Sequence, residues 1–238
     1  MDHREMHVIE HIEELRKRII FILIGFILSF LISFLFIDQV YQFLIRDLNG
    51  QLALLGPGDI IWVYMMMAGV VAVATTIPIA AYQLWRFVQP ALTREERKVT
   101  LAFIPGLFFL FLAGIAFGYY VLFPLVLSFV QSLAGEQFET FYTVDKYIRF
   151  MINISLPFGF LFEMPAVVMY LTRLGLINPV KLAKLRKYSY FILVVISVLI
   201  TPPDFISDIL VIIPLFLLYE TSILLSKIIY RGTEGQVH

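Results

Sequence analysis

The side chains best suited to chemistry in this sequence are acids in basic company. Glu10, Glu13 and Glu14 precede an apolar run alongside Arg16, Lys17 and Arg18, and Glu95 and Glu96 stand among Arg94, Arg97 and Lys98. A carboxylate only accepts hydrogen bonds, and it can take both arms of a guanidinium at once, which an ammonium cannot reproduce. Such a patch would suit a cationic ligand rich in arginine. Local pairing is the competing explanation, and spacing alone favours it. Glu13 with Lys17 and Glu14 with Arg18 are both i,i+4 pairs in the stabilising order. Glu163 lies deep in an apolar stretch, Gly159-Phe160-Leu161-Phe162-Glu163-Met164-Pro165. A carboxylate at membrane depth costs roughly 2.5–3.5 kcal/mol on insertion scales, so it must face protein or a wet cavity. A proton relay, a docking point for a polar group on a partner helix and an internal hydrogen bond all fit. Glu220, nearer the end of its own apolar run, suits snorkelling or capping as well as a functional role. Asp204 closes a rigid Thr201-Pro202-Pro203-Asp204 turn, where it can cap the next helix. His3, His7 and His11 share one helix face, but no fourth ligand accompanies them, so an interfacial face is expected there and no metal site. The chain has no cysteine, and no G-x-S-x-G, phosphate-binding loop, dinucleotide fingerprint or H-E-x-x-H motif. We therefore expect no cofactor and no enzymatic activity.

The elements that must position these groups are membrane spans. Of 238 residues, 60% are hydrophobic and 15% charged, with a mean hydropathy of +0.88. Soluble domains carry about 25% charged residues, so the chain is read as an all-α polytopic membrane protein. Charge-poor runs give six spans in a single transmembrane domain of residues 1–238, near 19–37, 60–86, 100–131, 150–172, 188–203 and 209–226. The third is far longer than the ~20 residues a bilayer needs and carries Pro105 and Pro124, which predicts a tilted or kinked helix. The last two are short, which fits either two spans in a thinned bilayer, the favoured reading, or a re-entrant hairpin buried in protein. Val8, Ile9, Ile12, Leu15 and Ile19 recur at helical spacing, predicting an amphipathic interfacial helix before the first span. The five acids before that span and the lack of a small-residue cleavage site argue against a removable signal peptide. Gly114 and Gly118 form a small-xxx-small pattern suited to helix packing.

The formal charge is zero, but its distribution is not even. Fifteen of the 18 Lys and Arg residues fall on one side of this six-span arrangement, leaving Arg46, Lys146 and Arg149 on the other. The excess of basic residues marks the cytoplasmic side, so both termini are expected there. Topology accounts for the basic loops, and no nucleic-acid binding is inferred.

Several motifs then coincide with one family. His11-Ile12-Glu13-Glu14-Leu15-Arg16-Lys17-Arg18 resembles the HLxELRxR signature of TatC, the receptor subunit of the twin-arginine protein translocase. Phe87-Val88-Gln89-Pro90-Ala91-Leu92 with Glu96-Arg97 is similar to its F-x-x-P-G-L-x-x-x-E-R loop, with Ala91 where many members have Gly and Ile12 for the usual Leu. The intramembrane Glu163, the run Tyr170 to Leu176, the Thr201-Pro202-Pro203-Asp204 element, Ser207, Pro214 and Tyr219-Glu220 match in order as well. The resemblance implies a receptor that binds the twin-arginine signal peptides of folded proteins at the cytoplasmic face. It would assemble with the single-span proteins TatA and TatB, form a homo-oligomer in the complex, and serve export driven by the protonmotive force. It places Glu14 and Glu96 as acceptors of the two signal-peptide arginines, with Arg16, Arg18, Phe87, Pro90 and Arg97 shaping that site. Glu163, with Asp204 and Glu220, would offer intramembrane polar contacts to partner helices. The implied location is a bacterial or archaeal cytoplasmic membrane, ahead of a thylakoid membrane. The alternative is a proton-coupled small-molecule transporter using Glu163 as its relay.

Overall fold

The computed structural model describes residues 3–46, 52–91, 94–134, 141–201 and 204–234, with backbone alone at 3–10, 91, 94–96, 98–99, 102, 134 and 231–234. Among them there is no strand, only an isolated bridge between Ala53 and Thr143. The helices are α1 (His3–Leu35), α2 (Ile37–Ile45), α3 (Pro57–Val88), α4 (Arg94–Phe117), α5 (Phe123–Ala134), α6 (Val144–Phe162), α7 (Met164–Arg173), α8 (Pro179–Lys184), α9 (Arg186–Ile200) and α10 (Phe205–Glu234). Two compact units result: Met1–Gln51 with Leu55–Phe108, and Leu52–Leu54 with Phe109–His238.

In the first unit α1 packs along α3. Many of the described apolar side chains of α1, Phe21, Leu28 and Leu31 among them, are more than half exposed. Exposed leucines and phenylalanines along a helix of this length need hydrocarbon around them. The expected amphipathic segment is helical, but it forms the opening turns of the continuous 33-residue α1 and is not a separate element. Nothing in Val8–Ile19 breaks the helix: there is no Gly or Pro to end it. Asp59 closes the start of α3 by accepting hydrogen bonds from the Leu55 and Gly56 N–H groups at 3.2 and 2.9 Å. Tyr64 on α3 donates to Asp38 on α2 at 2.7 Å.

In the second unit α4 and α5 continue into each other through a π-helical turn, Gly118–Leu122. Pro124 follows directly, and its missing N–H accounts for the widened turn where the sequence predicted a kink. Gly114 and Gly118 pack against α6 as their spacing suggests. A Cβ on Gly114 would lie 2.4 Å from the Phe158 carbonyl oxygen, and one on Gly118 would lie 2.5 Å from the Ser155 Cα. Only glycine permits that approach. The fourth apolar run is broken at Glu163, where α6 ends and α7 begins with Pro165 in its first turn. Proline removes the N–H that would have continued the ladder. α7 ends on Gly175, at φ +73°, with Leu176 N–H bonded to the Leu171 carbonyl at 3.0 Å. This left-handed closure favours glycine because it lacks a Cβ.

Among the described residues, five helical stretches are long and apolar enough to cross a membrane: His11–Leu35, Pro57–Val88, Phe103–Leu133, Val144–Arg173 and Phe205–Tyr230. α9, with 15 residues, reaches only about 22 Å against a hydrocarbon core of about 30 Å. The expectation that both final segments are short holds for α9 alone. α10 runs for 30 residues, because the groups that seemed to limit it are accommodated. Asp204 accepts from the Ser207 N–H at 2.7 Å and caps its start, Asp208 accepts from the Thr201 hydroxyl, and Glu220 is paired within the unit.

Candidate functional site

The first constellation sits in the first unit, where α1 meets the end of α3. Both i,i+4 pairs form. Lys17 lies 3.5 Å from Glu13, and Arg18 Nη2 donates to Glu14 Oε1 at 2.8 Å. They differ in setting. Glu13 is half exposed and shared loosely with Arg16 at 3.8 Å. The Glu14 and Arg18 side chains are 34% and 16% exposed. An i,i+4 ion pair within one helix contributes about 0.2–0.5 kcal/mol, so neither is a strong restraint. Arg18 reaches across to α3, where Nη1 donates to Gln83 Oε1 at 3.3 Å, while its Nε is buried with no hydrogen-bond partner among the described residues. Gln83 was not anticipated. The available signal was its amide within the apolar run 60–86, one helical turn before Phe87 and on the same face.

Phe87 is stacked on the His11 ring, with centroids 4.3 Å apart and planes inclined by 24°. This gives His11 a contact that its spacing with His3 and His7 did not suggest; the side chains of His3 and His7 lie outside the described residues. Pro90 is exposed in the 3₁₀ turn Gln89–Ala91 that ends α3, and Arg97 Nε fastens that turn by donating to the Gln89 carbonyl at 3.0 Å. Arg16 points to Glu13, not Glu14. The side chains of Glu10, Glu95 and Glu96 lie outside the described residues. Glu14, Arg18, Gln83, His11 and Phe87 thus join two helices at one end of the unit. The arrangement offers an anionic oxygen beside an aromatic surface, suited to an arginine side chain and the residues next to it.

The second constellation lies in the second unit and contains two contrasting acids. Both oxygens of Glu163 are buried with no hydrogen-bond partner among the described residues. Glu220 is saturated: Arg186 Nε and Nη2 donate to its two oxygens at 2.8 and 2.7 Å, and the Tyr190 hydroxyl donates at 2.6 Å. Tyr190 is itself stacked on Phe216 at 4.3 Å. Tyr219 donates to the Leu182 carbonyl at 2.9 Å and lies 3.0 Å from the Ser189 hydroxyl. The network ties α8, α9 and α10 together, and it engages the Glu220 carboxylate from within the chain. Asp204 is likewise engaged as a cap. A separate buried pair, Thr172 with Ser226 at 2.7 Å, joins α7 to α10. No group of His, Asp and Glu among the described residues could hold a metal ion.

Long apolar helices with exposed hydrophobic faces define a multi-pass membrane protein, which among its described residues carries an unpartnered buried acid, Glu163, and a lightly paired one, Glu14. Comparison with known proteins narrows the class. Residues 10–214 match the family described as Sec-independent protein translocase protein (TatC). The chain is 64% identical to the Sec-independent protein translocase protein TatCd of Bacillus subtilis strain 168, over 97% of this chain and 96% of that one. It is 42% identical to TatCy of the same organism, over 97% and 92%. A crystal structure of the twin arginine translocase receptor TatC superposes with a TM-score of 0.81 at 34% identity, covering 92% of this chain and 99% of that one. A second, obtained in DDM, gives 0.82 at 35% identity, covering 91% and 99%. The chain belongs to the TatC family and is a component of Sec-independent protein translocation.

Proposed function

We propose that this chain is the subunit that receives twin-arginine signal peptides of folded proteins at the cytoplasmic face of a bacterial or archaeal cytoplasmic membrane. Both termini are cytoplasmic in this reading, and α9 is a sixth span that crosses a locally thinned bilayer. The observation that carries the reading is the Glu14 carboxylate, held by a single weak intrahelical pair beside the His11–Phe87 stack, in a chain of this family. Glu14 and Glu96 each accept one signal-peptide guanidinium. Phe87 and the turn at Pro90, fastened by Arg97, shape the adjoining surface, and Arg16 and Arg18 set the charge around it. The act is recognition and not catalysis: bidentate charge-assisted hydrogen bonds supply the specificity. Single-span TatA- and TatB-type proteins complete the complex, in which several copies of this chain assemble, and the protonmotive force drives transport. Glu163 supplies a polar contact to one of their helices, because an orphaned carboxyl at membrane depth gains most from a hydrogen bond brought by a partner. A proton-coupled transporter would also use an unpartnered Glu163, but nothing in the family to which the chain belongs favours it.

The test is site-specific crosslinking of a synthetic signal peptide to the loop of residues 87–98 in membranes, with an Arg-Arg peptide and a Lys-Lys control. Strong labelling by the first and weak labelling by the second is expected. Equal labelling would count against the receptor assignment.

A further inference from the structure

We propose that Arg18 is an internal occupant of the carboxylate that receives a signal-peptide arginine, and that an incoming guanidinium displaces it onto Gln83. The proposal rests on the reading of Glu14 as an acceptor and adds to it an internal competitor that an incoming peptide must displace.

The geometry of Arg18 is that of a group held in place by less than its full capacity. One nitrogen, Nη2, bonds a single oxygen of Glu14 at 2.8 Å, and the other oxygen has no partner among the described residues. Nη1 donates to Gln83 Oε1 at 3.3 Å, and Nε is buried without an acceptor among the described residues. A guanidinium presents its donors as a rigid fork that matches both oxygens of a carboxylate. Here each acceptor receives one donor only, because an arginine one turn along the same helix meets the carboxylate on a single side. An arginine from another chain is free of that constraint and can approach Glu14 end-on, with two parallel bonds.

A peptide guanidinium that takes both oxygens of Glu14 needs the one that Arg18 holds and meets its like charge, so bidentate binding requires Arg18 to give way. The hydrogen bond from Gln83 supplies the alternative. It comes from α3, a different helix from the one carrying Glu14, and it engages a different nitrogen of Arg18 from the one that Glu14 holds. Breaking the Glu14 contact therefore leaves Arg18 with an acceptor still in place. The exchange is favourable for a peptide arginine, which replaces one charge-assisted bond with two. Releasing Arg18 costs the same for any cation that takes Glu14, so the preference for arginine over lysine lies in the bidentate fit to Glu14 itself. Glu13 provides an internal contrast: its partners lie at 3.5 and 3.8 Å on an open surface and reach no other helix.

The experiment measures binding of two fluorescent synthetic peptides, identical except for an Arg-Arg or a Lys-Lys pair before an apolar stretch, to the full-length protein in detergent or nanodiscs. The variants are Arg18→Gln, Arg18→Lys and Glu14→Gln. With Arg18→Gln both peptides are expected to bind more tightly, each by about twofold, with the ratio between them unchanged. Arg18→Lys, which keeps the charge but cannot span Glu14 and Gln83, should give a smaller gain in the same direction. If Arg18→Gln does not purify as a monodisperse protein, the Arg18→Lys affinity decides by the same criterion. An Arg-Arg affinity that stays constant or falls overturns the proposal and makes Arg18 a positioning residue for Glu14. Glu14→Gln separates the two levels. Retained Arg-Arg binding would overturn the acceptor assignment itself, whereas lost binding with no gain in the Arg18 variants overturns the occupant alone.

Discussion

Glu163 and Glu220 are both acids within long apolar stretches of the second unit, yet their surroundings differ completely. Glu220 receives three hydrogen bonds from Arg186 and Tyr190. Glu163 receives none among the described residues. Residue type and depth alone would mark both as functional candidates. What separates them is whether the fold brings donors to them. Glu220 fastens α9 to α10; Glu163 stays buried with no bond among the described residues to satisfy it.

Perturbations of packing, pairing and charge should pull this contrast apart in order of size. The largest effect is expected from Gly114→Val. Its side chain would meet the Phe158 carbonyl and the Cα of Gly159, one turn before Glu163, and backbone cannot yield as a flexible side chain does. Overpacking of this kind costs about 3 kcal/mol, and it should lower the yield of folded protein and displace the helix that presents Glu163. Thermal denaturation followed by size-exclusion chromatography would check it. Next comes Glu220→Ala, which removes the acceptor of Arg186 and Tyr190 and should lower the thermal midpoint by less than Gly114→Val does, because the pair is partly exposed and water can replace the lost bonds. The double exchange Arg186→Glu with Glu220→Arg should recover part of that loss, and no recovery would show that the pair's geometry matters more than its charge. The smallest effect on stability belongs to Glu163→Gln, which is nearly isosteric and removes no hydrogen bond among the described residues. Export of a twin-arginine reporter should nevertheless fall sharply in that variant. Unchanged export would break the comparison by making Glu163 as structural as Glu220.

Legibility followed sequence distance. The span expected at residues 60–86 is the core of α3, Pro57–Val88, because charge-free length is a local property that the bilayer reads directly. The pairs Glu13–Lys17 and Glu14–Arg18 were visible for the same reason: four residues is one helical turn. The Gly114 and Gly118 contacts were visible as a pattern, although the facing residues Ser155, Phe158 and Gly159 were not. Arg186 and Glu220 are 34 residues apart, and Arg18 and Gln83 are 65 apart. No periodicity links such pairs; only the packing of the helices does. The break at Glu163 was hidden for a related reason: Pro165 tolerates either a kinked helix or two helices, and the surrounding packing chooses.

By itself, then, the sequence determined the class, the helices and the acids at issue, since hydrophobic length, proline positions and i,i+4 pairing act within a few turns of chain. The fates of two of those acids were decided by tertiary structure: Glu220 paired, Glu163 without a partner among the described residues. The physical reason is that a carboxylate's role depends on which donors reach it within about 3 Å, and those donors come from helices distant in sequence.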